Sequence, residues 1–200
     1  QIADADGHNP RTVFTSKKYL MSSTWSPDGT RLAYVSFESN NSAIYIQDII
    51  QGTRSKISAQ AGINSAPAWS PDGRYLALTL SISGSPNIYL MEIATRTISR
   101  LTNASSIDTE PCWMPDGKSL LFTSDRSGGP QIYEVSANGG RPSRITFEGN
   151  YNAAPDISPD GGFVSFVLFI GNGFRIAVMD MQNRTMRIKT KGSLEKEPSY

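Results

Sequence analysis

Ser26-Pro27-Asp28-Gly29 recurs as Ser70-Pro71-Asp72-Gly73, Met114-Pro115-Asp116-Gly117 and Ser158-Pro159-Asp160-Gly161, with successive glycines 44 residues apart. An aromatic residue precedes three of these turns, at Trp25, Trp69 and Trp113, and Ile157 takes the place in the fourth. Pro67, Pro111 and Pro155 keep the same phase, and Pro198 comes one residue early. A fixed period of this length marks a repeat architecture, and a repeat must be recognised before any local reading.

Working outward from the turn, each unit reads as four short strands. The first enters the turn, as in Ala66-Pro67-Ala68-Trp69-Ser70. An alternating apolar strand leaves it: Leu32-Ala33-Tyr34-Val35, Leu76-Ala77-Leu78-Thr79, Leu120-Leu121-Phe122-Thr123 and Val164-Ser165-Phe166-Val167. Turn residues such as Asp125-Arg126-Ser127-Gly128-Gly129 lead to a third strand: Ile44-Tyr45-Ile46, Ile88-Tyr89-Leu90, Ile132-Tyr133-Glu134 or Ile176-Ala177-Val178. A hairpin such as Asn138-Gly139-Gly140 then leads to a fourth, Ser143-Arg144-Ile145-Thr146 in that copy. Period-2 alternation between turn residues is the strand and hairpin pattern. Four strands in a period of 40 to 50 residues is a propeller blade.

The expected fold is therefore all-β, a β-propeller of WD-like repeats. Residues 1–19 finish a preceding blade, 20–62, 63–106, 107–150 and 151–193 form four full blades, and 194–200 begin the next. Four full blades and two partial ones imply a six-bladed parent. A proline in the innermost strand is tolerable because that strand has one unpaired edge along the channel. The Pro-Asp-Gly triplet has a mechanical role: Pro presets φ, Asp bonds back to the backbone, and Gly accepts φ > 0.

Composition narrows function by exclusion. Nineteen basic and eighteen acidic residues in 200 leave a net charge of +1, with no basic run. That balance gives no support for nucleic acid or an anionic membrane surface as partner. No stretch approaches the ~20 apolar residues of a membrane-spanning helix. One cysteine, Cys112, excludes an internal disulfide and a cysteine-based zinc site, and it reads as a small buried apolar residue. The one histidine, His8, sits in a turn, and no Gly-x-Ser-x-Gly elbow occurs. Asp4-Ala5-Asp6-Gly7 lacks the Glu that would close a calcium loop and reads as a hairpin turn. Trp25, Trp69 and Trp113 read as blade-to-blade packing. Asp108, Glu110, Asp156 and Glu197 fall where they could face the channel; a cation held there is the weaker reading. No catalytic residue, cofactor or metal ligand is assigned.

Propellers bind through loops that converge at one end of the channel while the blades hold them rigid. The residues entering each innermost strand are the candidates: Met21 and Ser22; Ile63, Asn64, Ser65 and Ala66; Ile107, Asp108, Thr109 and Glu110; Tyr151, Asn152, Ala153 and Ala154; and Glu195, Lys196 and Glu197. They vary between blades and mix small, polar and apolar types, as a recognition surface does.

The blade-specific loops carry a resemblance. Asp4-Ala5-Asp6-Gly7-His8-Asn9, Leu20 through Gly29, and Leu32-Ala33-Tyr34-Val35-Ser36-Phe37-Glu38-Ser39 are one such string. Asp108-Thr109-Glu110-Pro111-Cys112-Trp113 and Gly140 through Gly149 are another. In this order they resemble the TolB propeller family across essentially the whole chain. Ser23 in place of proline, Asp156-Ile157, and a residue lost near Gln182-Asn183-Arg184 depart from the pattern locally. The resemblance implies a non-enzymatic periplasmic adaptor of the Tol–Pal system, supporting outer-membrane integrity and envelope constriction. It implies docking of the peptidoglycan-associated lipoprotein Pal at the channel mouth, colicins at the same surface in some cases, and TolA engagement by an N-terminal region outside these residues. It implies no direct membrane insertion. The alternative is the substrate-gating propeller of an α/β-hydrolase peptidase.

Overall fold

In a computed structural model, which describes residues 1–38 and 40–190, sixteen strands form four four-stranded antiparallel sheets. The first comprises β1 (Leu20–Trp25), β2 (Arg31–Ser36), β3 (Ala43–Asp48) and β4 (Arg54–Ser58). The second comprises β5 (Asn64–Trp69), β6 (Tyr75–Leu80), β7 (Asn87–Glu92) and β8 (Ile98–Arg100). In the third are β9 (Asp108–Trp113), β10 (Ser119–Ser124), β11 (Gln131–Ser136) and β12 (Ser143–Arg144). The fourth holds β13 (Tyr151–Ile157), β14 (Phe163–Ile170), β15 (Gly173–Asp180) and β16 (Met186–Ile188). Strand order within each sheet follows chain order, and the first strands β1, β5, β9 and β13 contact one another in sequence. They are the inner strands; the fourth strands, two to five residues long, are the outer ones.

The sheets stack face to face because their second and third strands are apolar on both sides. Leu76, Leu78 and Leu80 point toward the first sheet and pack on Ala33, Val35, Ile44 and Ile46. Ala77, Ile88 and Leu90 point the other way, onto Trp113, Leu120 and Phe122 of the third sheet. Leu121, Ile132 and Ile145 then meet Val164, Phe166 and Leu168 of the fourth. Each fully buried Leu or Ile contributes about 1.5–3 kcal/mol, so these three cores hold the sheets together.

The Ser-Pro-Asp-Gly turn has the expected mechanics and one further use. Gly29 sits at φ 68° and donates its N–H to Ser26 O. Asp28 Oδ1 accepts from the Ser26 hydroxyl and from Thr30 N, and Ser26 Oγ accepts from Arg31 N. These hydrogen bonds, the Ser26 one first, hold the Asp28 carboxyl down to about 2. Asp72 and Asp160 are lowered by the same pair of contacts, from Ser70 and Arg74 N and from Ser158 and Gly162 N. Adjacent turns also touch: a Cβ on Gly73 would lie 3.6 Å from Pro27 Cγ, and one on Gly161 would lie 3.6 Å from Pro115 Cδ. The proline of one turn is the shelf for the glycine of the next.

The inner strands are bulged at one repeated place. Register shifts between Met21 and Thr24 and between Ser65 and Ala68, with counterparts in the third and fourth sheets. Ser22, Ala66, Glu110 and Ala154 take left-handed φ of 52°, 47°, 55° and 52°. Pro67, Pro111 and Pro155 follow directly, so the missing N–H falls inside the bulge where the ladder is already broken.

Candidate functional site

The four inner strands begin at the same end of the channel, and one buried polar residue anchors the entry to each of the last three. Asn64, Asp108 and Asn152 are all 0% exposed. Asn64 Oδ1 accepts from Ser58 Oγ and Gln60 N, and its Nδ2 donates to Gln60 O. Both Asp108 carboxylate oxygens accept from Arg126 Nη2 at 2.8 Å, and Oδ1 also accepts from the Ser124 hydroxyl. Asn152 Nδ2 donates to Gln131 Oε1 and Glu148 O. Their backbone amides reach the preceding sheet, at Ser42 Oγ, Pro86 O and Pro130 O.

This corrects the sequence reading, which counted Asn64, Asp108 and Asn152 among loop residues facing a partner. They are strand residues that satisfy the polar backbone of the incoming loop, a demand any buried loop must meet. Ala153, 4% exposed, is likewise a core residue. Ser65, Ala66, Thr109, Glu110, Tyr151 and Ala154 are half-buried, whereas Met21, Ser22, Ile63 and Ile107 are exposed. Glu195, Lys196 and Glu197 lie outside the described residues.

The residue just before two of these anchors is large, apolar and turned outward. Ile63 is 45% and Ile107 48% exposed; Tyr19 holds the same phase at 84%, beside Met21 at 52%. Their backbones are fixed even though their side chains are free. Ile63 N donates to Ser81 Oγ at 2.7 Å and Ile63 O accepts from Ser81 N. Ile107 N donates to Asp125 Oδ1 at 2.8 Å and Ile107 O accepts from Asp125 N. In the fourth sheet the position is Tyr151, edge-on to Phe174 with centroids 5.5 Å apart. The β14–β15 hairpin, two residues longer on each strand than its counterparts, adds exposed Phe169 and Ile170 at this end, and Ile82 adds another from the β6–β7 turn. Sequence reasoning passed over Tyr19, Ile82, Phe169 and Ile170. Nothing in a single apolar residue at a strand end distinguishes outward from inward.

The channel wall itself is built for packing. Trp113 Nε1 donates to Ala68 O of the neighbouring sheet at 3.1 Å, and Arg31 lies over the Trp69 ring at 4.7 Å. Trp25 is 44% exposed, with no sheet against it among the described residues. Cys112 is half-buried beside Asp156, and burial, then the Asp156 charge, pushes its thiol up to about 12. Among the described residues the channel carboxylates do not converge: Asp108 is spent on Arg126, Asp156 sits beside Cys112, and Glu110 bonds Thr123 and Ala154. Among the described residues no group of three or more His, Cys, Asp or Glu is placed to hold a metal ion, and no helix is long and apolar enough to cross a membrane. His8 is exposed and pairs with Asp6 at 3.1 Å.

Radially stacked four-stranded sheets, with inner strands lining a channel and a shaped apolar rim at its mouth, define a β-propeller. The chain belongs to the TolB β-propeller domain family, whose model matches residues 1–200. A TolB of known structure from Acinetobacter baumannii is 43% identical with a TM-score of 0.93, the match covering 99% of this chain and 50% of that one. The Tol-Pal system protein TolB of Thioalkalivibrio sulfidiphilus is 62% identical over 65 residues, 32% of this chain and 15% of that protein. A puromycin-hydrolyzing peptidase from Mycobacterium tuberculosis, at 15% identity and TM-score 0.72, shares the fold alone. The chain thus spans about half the length of its solved TolB relative.

Proposed function

We propose that this chain is the docking part of a non-enzymatic periplasmic adaptor of the Tol–Pal system, and that its channel mouth receives the peptidoglycan-associated lipoprotein Pal. The observation that carries the reading is the apolar collar. Ile63 and Ile107 stand out from backbones clamped by Ser81 and Asp125, and exposed Tyr19 and Met21 continue the row. Large apolar side chains on a rigid frame bind with little ordering cost, which is the character of an interface core. Family membership supplies the partner, since the relatives are proteins of the Tol-Pal system. Ser22, Ser65, Ala66, Thr109 and Tyr151 complete the surface as its small and polar floor. Colicins would use the same mouth, and TolA would be engaged elsewhere in the longer protein.

On the same reading the four sheets, residues 20–62, 63–106, 107–150 and 151–193, are consecutive blades of a six-bladed ring. Exposed Trp25 supports this, because its equivalents Trp69 and Trp113 are each covered by the preceding sheet.

The test is calorimetric titration of the soluble Pal domain into the full-length protein, its Ile63→Asp/Ile107→Asp variant, and Ile50→Asp as control. Ile50 is 78% exposed in the β3–β4 turn, at the opposite end of the sheet. Central interface residues cost more than 1 kcal/mol when lost, so the double variant should bind at least about tenfold more weakly and the control unchanged. Equal affinity for all three would remove the mouth as the docking site.

A further inference from the structure

Glu110 holds the junction between the third and fourth sheets through a closed set of hydrogen bonds. The Thr123 hydroxyl donates to Glu110 Oε2 at 2.7 Å across β9 and β10. Ala154 N, in β13 of the next sheet, donates to the same Oε2 at 2.9 Å and to Thr123 Oγ1 at 3.1 Å. Both Glu110 and Ala154 are left-handed bulge residues. A left-handed non-glycine residue is held against a backbone preference, so something must fix it. A charged acceptor on an amide is among the stronger ways to do so.

The other junctions lack this device. Ser22 and Ala66 occupy the bulge position in the first two sheets, and Ala154 in the fourth; none carries a carboxylate. Val35, Thr79 and Val167 stand where Thr123 stands, and Thr79 Oγ1 reaches only Thr109 Oγ1, at 3.4 Å. Oε1 of Glu110 has no hydrogen-bond partner among the described residues, and the carboxylate lies near the rim: its charge, after burial, raises the Tyr151 phenol.

We propose that Glu110 is a positioning residue of the mouth, which acts by fixing the Ala154 bulge and with it the rim segment Tyr151–Ala154, and does not act as a charge that meets the partner. The proposal rests on the mouth being the docking site. It separates two roles that the carboxylate could play, and the amide form discriminates them. A glutamine keeps an Oε1 acceptor for Thr123 and Ala154 while removing the charge.

The experiment uses the full-length protein with Glu110→Ala and Glu110→Gln, and reads two quantities. One is hydrogen exchange of the Ala154 amide without partner; the other is the Kd for the soluble Pal domain. In Glu110→Ala the Ala154 amide should exchange about tenfold faster or more, the loss expected for one charge-assisted bond, and Kd should rise several-fold. In Glu110→Gln both should stay within about threefold of the parent. Unchanged Ala154 exchange in Glu110→Ala would overturn the proposal. So would a glutamine variant that keeps the amide protected yet binds as weakly as the alanine variant, since the charge would then be the contact. If Pal fails to bind the parent protein, the docking reading falls, and the exchange rates still decide whether Glu110 fixes the bulge.

Discussion

Replacing Gly62 with alanine separates the two reasons for a glycine at the mouth. Gly62 has φ +83°, and a Cβ there would fall 2.2 Å from Ser81 Oγ. That hydroxyl accepts the Ile63 amide, so the methyl group must turn it away and release the rim residue. The left-handed φ alone costs about 1–2 kcal/mol. Loss of the Ser81–Ile63 hydrogen bond adds about 0.5–1.5 kcal/mol. Gly29, at φ +68° with nothing within 4 Å of its Cβ position, isolates the first contribution. In a Ser81→Ala background the clash disappears, because Ser81 Cβ lies 3.5 Å from where the new methyl group would sit. Gly62→Ala should then cost only as much as Gly29→Ala. The assay is a double-mutant cycle by urea unfolding of the full-length protein, which measures the coupling directly. A coupling of about 0.5–1.5 kcal/mol is expected. Equal cost in the two backgrounds would refute the argument that Ser81 clamps Ile63 through its hydroxyl.

Three further outcomes follow from the geometry. Asp28, with its carboxyl held near 2 against an ordinary 3.8, lends the turn stability that is fully present above pH 3.8 and is lost as pH falls through about 2. Carboxyl titration by NMR should show this, and Ser26→Ala should move the midpoint back up. Arg54, stacked 4.2 Å from Phe14, 3.7 Å from Tyr45 and bonded to Tyr34 Oη and Glu38, ties the N-terminal segment to the first sheet. Arg54→Met should therefore speed limited proteolysis between residues 9 and 18 while leaving cleavage elsewhere unchanged. Cys112, with its thiol pushed up to about 12, should resist iodoacetamide at pH 8 in the native protein and react readily once urea unfolds it; fast native alkylation would contradict the effect of its half-buried setting beside Asp156.

Some of this was legible in the chain because it is written in short-range chemistry. The 44-residue phase of Pro-Asp-Gly turns, the period-2 strands and the glycine at φ > 0 are local demands, visible in any single copy and confirmed by repetition. The four-sheet propeller follows from them, as does family membership from the order of blade-specific loops. The residues expected at the mouth were harder to sort, because a polar residue at a strand entry has two opposite uses. Ile63 and Asn64 are adjacent and equally plain in sequence, yet one faces solvent and the other is sealed among Ser58, Gln60 and Ser42. The same holds for Ile107 beside Asp108, whose partner Arg126 lies 18 residues away on another turn. The bulge at Glu110 and Ala154 joins residues 44 apart, and only the packing of one sheet on the next brings them together. Local sequence determines strands and turns, since those depend on neighbours along the chain. Which side chains become anchors, struts or an exposed collar is decided by burial between sheets, which no residue's own neighbours in sequence report.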